Sequence, residues 1–81
     1  MSKKKLRKHS SDLSAVLAEN LRNYRLNKQI SQEQLAEICG LHRTYIGSVE
    51  RGERNITLSS LEILAKALDV CVQQLLTKEG L

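Results

Sequence analysis

An all-α domain of five short helices is what the sequence predicts, and three observations carry that expectation. The 81 residues contain no proline and only four glycines, so little interrupts a helix interior. Leucines and other apolar residues recur at steps of three and four, the period of an amphipathic helix. Strand-favouring residues are never clustered at alternating positions, and the only aromatics are Tyr24 and Tyr45.

Each helix follows from local signals. Leu13, Val16, Leu17, Leu21 and Tyr24 form one apolar stripe; Ser11 or Asp12 can cap this first helix, which ends near Asn27-Lys28. Ser31 opens the second, with Gln34 at the reciprocal capping-box position. That helix, residues 32–39, is stopped by Gly40, because glycine takes a left-handed conformation without strain. The third runs from about Arg43 to Arg51, with Gly52 as its stop. Thr57 caps a fourth, whose apolar face is Leu58, Leu61, Leu64, Ala65 and Leu68. Asp69-Val70 is a turn, and Val72, Leu75 and Leu76 form one side of a short fifth helix. The chain thus divides into a basic arm, residues 1–12, a folded domain, 13–77, and a tail, 78–81.

Charge is unevenly placed. The formal net charge is +4, but residues 3–8 hold five of the 13 basic residues and no acid. Residues 9–81 hold eight basic and nine acidic residues, a net of −1. The high pI therefore belongs to the arm, and a nucleic-acid face on the domain must be argued from position. The arm is either a solvated terminus or a strand lying on phosphates or in a minor groove.

Several function classes fit poorly. No apolar run approaches the roughly 20 residues of a membrane span, and no secretory signal is seen, so a cytoplasmic protein is expected. Cys39 and Cys71 are too few for a disulfide framework. Cys39-x-x-His42 lacks a second ligand pair, so neither a metal nor another cofactor is expected; Cys39 reads as a small buried residue and His42 as a cap of the third helix. Serine and histidine form no recognised catalytic arrangement, which argues against an enzyme.

The informative stretch is SQEQLAEICGLHRTYIGSVERG, Ser31 to Gly52. It meets the physical demands of a helix-turn-helix. Ala36 is small where the helices cross, Gly40 supplies the turn, and Leu35, Leu41, Ile46 and Val49 point into a common core. Arg43, Thr44 and Ser48 occupy outward positions of the third helix, placed to enter a major groove about one helix wide. Gln32 begins the second helix, where a backbone amide at the positive end can receive a phosphate and the side chain can add a bond.

Ala36, Gly40, Leu41, Ile46 and Val49, with the five-helix rhythm around them, resemble the lambda-repressor-like (XRE-type) DNA-binding domains over about residues 13–77. Within that family, Arg43-Thr44-Tyr45-Ile46 and Arg54-Asn55 look most like controller proteins of restriction–modification systems. The resemblance implies a transcriptional regulator that binds double-stranded DNA at a palindromic operator as a homodimer. A general repressor, or the antitoxin of a toxin–antitoxin pair, uses the same domain.

Individual roles follow. Arg43 is expected to read a base, since its planar fork matches O6 and N7 of guanine; a phosphate clamp or an ion pair is the alternative. Thr44 either touches a thymine methyl or base edge or stays solvated, and Ser48 lies one turn on from it. Gly47 either brings the backbone deeper into the groove or only weakens the helix, by about 1 kcal/mol relative to alanine. The resemblance implies a DNA-facing Tyr45, with packing at the helix edge as the alternative. Arg54, Asn55 and Ser60 are expected on the sugar-phosphate backbone, and Gln34 is a weaker candidate because capping can use it. The resemblance also implies a buried Arg25–Glu50 ion pair. Glu33 and Glu37, one turn apart on the second helix, are a solvated face or, in an activating family member, a contact to RNA polymerase. Val70, Val72, Leu75 and Leu76 either form a dimer interface or close the core over the first helix.

Overall fold

The computed structural model describes residues 11–78, and the basic arm before Ser11 and the last three residues lie outside them. Five helices follow one another: α1 (Ser11–Asn27), α2 (Gln32–Cys39), α3 (Arg43–Glu50), α4 (Leu58–Leu68) and α5 (Val72–Leu76). No strand occurs among the described residues. α1 packs on both α3 and α5, and α2 leans on α3 and α4.

The core is built where these helices meet. Leu17, Leu21 and Tyr24 of α1 face Leu35 of α2, Ile46 and Val49 of α3, Leu61, Leu64 and Leu68 of α4, and Leu75 of α5. Ala36 is buried, as its place in the α2–α3 crossing requires.

Two features of the first helix differ from expectation. α1 already includes Ser11 and Asp12, so the helix enters the segment read as arm. Leu13, in the first turn, is half exposed because α1 begins before the core does. Leu58 likewise leaves the apolar face of α4. It is 79% exposed, being the first residue after the Thr57 cap, on a turn that projects past the core.

The helix ends obey local chemistry. The Gly40 amide donates to Glu37 O (3.3 Å) and the Leu41 amide to Ala36 O (2.9 Å), the paired bonds of a left-handed helix stop. Gly40 has φ 68°. A Cβ there would meet nothing, so backbone conformation alone selects glycine. Asp69 (φ 61°) ends α4 with the same bond pair, and Gln29 (φ 60°) does so for α1. At α4, Thr57 accepts the Ser60 amide at 3.1 Å, the expected N-cap.

A polar clasp holds α5. Asn20 Nδ2 lies within hydrogen-bonding distance of the carbonyls of Gln74, Leu75 and Thr77, at 3.2, 2.9 and 2.8 Å. These are carbonyls a helix end leaves open, and a side chain from α1 satisfies them. A five-residue helix cannot sustain itself in water, so this docking is what keeps α5 in place.

Candidate nucleic-acid interface

The helix pair α2–α3 is fixed first by its own sequence. The Gln34 amide donates to Ser31 Oγ (3.0 Å), and the Ser31 amide donates to Gln34 Oε1 (2.7 Å). The capping box is therefore closed, and the Gln34 side chain is engaged in it. His42 holds the N-cap position of α3 with an extended backbone, yet its side chain makes no capping bond, contrary to expectation.

Three side chains then lock α1, α2 and α3 together. Arg25 donates to Glu50 through Nε (2.7 Å to Oε2) and Nη2 (3.1 Å to Oε1). Its Nη1 donates to the Ile30 carbonyl at 2.8 Å. Gln32 Nε2 donates to Glu50 Oε1 at 3.0 Å. The Gln32 side-chain amide thus already serves the fold. A bidentate guanidinium–carboxylate pair with its remaining donor satisfied is the arrangement that makes a buried ion pair tolerable.

α3 presents chiefly its first turn. His42, Arg43 and Thr44 are exposed and Tyr45 is half-buried, whereas Ile46, Gly47, Ser48 and Val49 are all buried. This corrects two expectations. Ser48 does not share the outward face of Thr44: it is 6% exposed, and its hydroxyl donates to Tyr45 O at 2.8 Å. Gly47 is covered as well, since a Cβ there would lie 3.2 Å from Arg51 Nη1 and 3.6 Å from Gln32 Oε1. The cause is local: the Gln32 and Arg51 side chains lie against Gly47, and Arg54 closes over Ser48.

Around that exposed turn the structure gathers Arg54. Its Nε donates to Ser48 Oγ at 2.8 Å, and its guanidinium carbon lies 4.9 Å from the centre of the Tyr45 ring. Tyr45 therefore packs against the core and carries an arginine on its face, a cation–π arrangement. Asn55 is exposed in the next position. Ser60 is half-buried, and its hydroxyl accepts from Thr57 Oγ1 at 3.0 Å, so the cap engages it.

Arg51, not singled out from sequence, is exposed beside this face and paired with Glu53 at 3.0 Å. The Arg51 hydrogen bond holds the Glu53 carboxyl below the ordinary carboxylate range, and the same bond raises the Arg51 guanidinium. Glu33 and Glu37 are both exposed on α2. Cys39 is partly buried against the core, and burial pushes its thiol up, away from the thiolate that a metal requires.

The apolar C-terminal residues separate into two groups. Leu75 is 0% exposed, because α5 folds back onto α1 and inserts it into the core; it cannot belong to an interface between copies. Val70, Val72 and Leu76 are only partly buried. Val70 and Val72 line a shallow groove with Ile63 of α4, which is 40% exposed and was not anticipated. A more telling omission is Asn20. It falls between Leu17 and Tyr24 in the apolar stripe of α1, and a polar residue in such a stripe signals a buried partner.

Comparison with known proteins agrees with this architecture. A family model described as "Helix-turn-helix" matches residues 21–74, more than half of the chain. Control protein C.SmaI of Serratia marcescens is 67% identical over 70 residues, covering 86% of this chain and 83% of that protein. Control protein C.BamHI of Bacillus amyloliquefaciens is 43% identical over 68 residues, covering 83% and 84%. Among solved structures, the restriction-modification controller protein C.Esp1396I, a tetramer in complex with its natural 35 base-pair operator, superposes with a TM-score of 0.77 at 38% identity. That match covers 88% of this chain and 97% of that one. With an exposed first turn on α3, a glycine-stopped α2 and this span of similarity, the chain belongs to the XRE-type helix-turn-helix family.

Proposed function

We propose that this protein is a sequence-specific transcriptional regulator of double-stranded DNA, of the kind that controls a restriction–modification system. Its role is recognition rather than catalysis, exercised on DNA in the cytoplasm. The observation that carries this reading is the composition of the exposed first turn of α3. Arg43 and Thr44 project there, beside an Arg54 already held in place over Tyr45. The N-terminal residues of a recognition helix are the ones that meet base edges, and Arg43 has the fork that grips guanine. Arg54 and Asn55 then meet the sugar-phosphate backbone and set register. The high identity to two control proteins favours this function over a general repressor or an antitoxin.

The protein acts as a homodimer on a near-palindromic operator. Val70, Val72 and Leu76, joined by Ile63, supply the apolar contact between copies. The two α3 helices would then enter successive major grooves about 34–36 Å apart. Glu33 and Glu37 offer an acidic face to RNA polymerase if the protein activates. Replacing both with neutral residues would then abolish activation and leave DNA affinity intact. The basic arm adds phosphate contacts, so deleting residues 1–10 flattens the salt dependence of binding.

The deciding experiment selects duplexes from a randomised pool with the full-length protein. A near-palindrome is the expected product. Arg43→Ala then loses about 1–3 kcal/mol on the selected duplex and far less on an unrelated one. Enrichment of no sequence would overturn the proposal, and equal loss on both duplexes would reduce Arg43 to a phosphate contact.

A further inference from the structure

We infer that Ser48 is a positioning residue for DNA binding, one that acts through Arg54 and Tyr45 without touching a base. The inference rests on the DNA-binding function proposed above. A buried serine hydroxyl in a helix ordinarily returns its proton to a carbonyl of the preceding turn, and Ser48 does this with Tyr45 O at 2.8 Å. The oxygen then has lone pairs to offer, and Arg54 Nε takes one at 2.8 Å. Both capacities of the hydroxyl are in use, inside the fold, at a residue 6% exposed.

The consequence falls on Arg54. Its guanidinium is held at two places: at Nε by Ser48, and across its plane by the Tyr45 ring, 4.9 Å from centroid to carbon. The bond to Ser48 uses one of the five N–H donors of arginine, which leaves the Nη end of the fork for a bidentate grip on a phosphate. A long side chain fixed before DNA arrives avoids the ordering penalty that a free arginine meets on binding. Ser48 lies six positions before Arg54 and on another element, so it joins the recognition helix to the backbone-contacting loop. Tyr45 is braced by the same pair, since its carbonyl receives Ser48 and its ring carries Arg54.

The test uses the full-length protein, the duplex that the wild type enriches from a randomised pool, and an unrelated duplex of equal length. Ser48→Ala is expected to bind both about 2- to 10-fold more weakly, the penalty for ordering one rotamer-rich side chain. In an Arg54→Ala background the same change is expected to cause no further loss. Independently of DNA, the Arg54 Nε–H resonance is expected to be protected from exchange in the wild type and to exchange rapidly in Ser48→Ala. An equal loss in both backgrounds, a loss confined to the enriched duplex, or full wild-type affinity with an unprotected Nε–H would each overturn the inference. Should Ser48→Ala melt early, Ser48→Cys replaces it. Cysteine is close to serine in size but its sulfur is a weak acceptor for the Arg54 Nε–H, so the same loss on both duplexes supports the inference and wild-type affinity with an unprotected Nε–H overturns it. A wild type that enriches no duplex removes the DNA-binding function and this inference with it. Wild-type binding with an unimpaired Ser48→Ala removes the inference alone.

Discussion

Arg25 and Glu50 meet at 2.7 Å with side chains only 10% and 4% exposed, which ties the end of α1 to the end of α3. Removing one partner would leave a charge in a place water barely reaches. Glu50→Ala is therefore expected to destabilise the fold by about 3–5 kcal/mol. Glu50→Gln, which keeps an acceptor for Arg25 and Gln32, should lose less. Urea denaturation followed by circular dichroism reads both; a loss below about 1 kcal/mol for Glu50→Ala would show that the pair is not needed.

Gly47 sits mid-helix, where glycine weakens a helix by up to about 1 kcal/mol relative to alanine. The nearest atom to an added methyl is Arg51 Nη1 at 3.2 Å, the tip of an exposed, flexible side chain that can move. Gly47→Ala is expected to raise thermal stability by up to that amount while leaving affinity for the selected duplex unchanged. A firmer protein that no longer binds would restore the glycine to the DNA contact surface.

Gln29 closes α1 with φ 60°, a left-handed conformation that disfavours residues with a Cβ. Its amide donates to Leu26 O (2.9 Å), so the turn itself is sound. Gln29→Gly should relieve the crowding and, after the added freedom of the unfolded chain, stabilise by about 0.5 kcal/mol. For a domain this small that is a rise of about 2–4 °C in Tm. A lowered Tm would show that the turn carries no such strain.

Glu53 pairs with Arg51 at 3.0 Å beside the proposed DNA face. Its carboxyl is held below the ordinary range, so the pair persists from neutral pH down through the usual carboxylate pKa and is lost only as pH falls through the depressed value. At neutral pH, Glu53→Gln should release Arg51 to a phosphate and steepen the log–log salt dependence of binding by about 0.9. Fluorescence anisotropy over a salt series tests this, and an unchanged slope would show that Arg51 stays away from the duplex.

Much of this architecture is written in short-range signals. Ser31 with Gln34, Gly40 and Thr57 each announce a helix boundary through local hydrogen bonds, and α2 and α4 begin or end at those places. What escapes a one-dimensional pattern is which side of a helix its neighbours cover. Thr44 and Ser48 stand one turn apart and read as one face, yet only Thr44 is open, because Arg54 closes over Ser48. Leu75 reads as a surplus leucine for the same reason: nothing local announces that α5 turns back onto α1. Arg25 and Glu50 were expected through family likeness; twenty-five positions separate them, and spacing alone would not pair them.

The Asn20 clasp gives the molecule an order of completion. Its amide awaits carbonyls 54 to 57 positions downstream. While the chain is still leaving the ribosome, water holds the Asn20 amide, and the side of α1 that meets α5 stays open until residue 77 has emerged. Ribosome-bound chains stopped short of that point would leave α5 undocked while α1 already rests on α3.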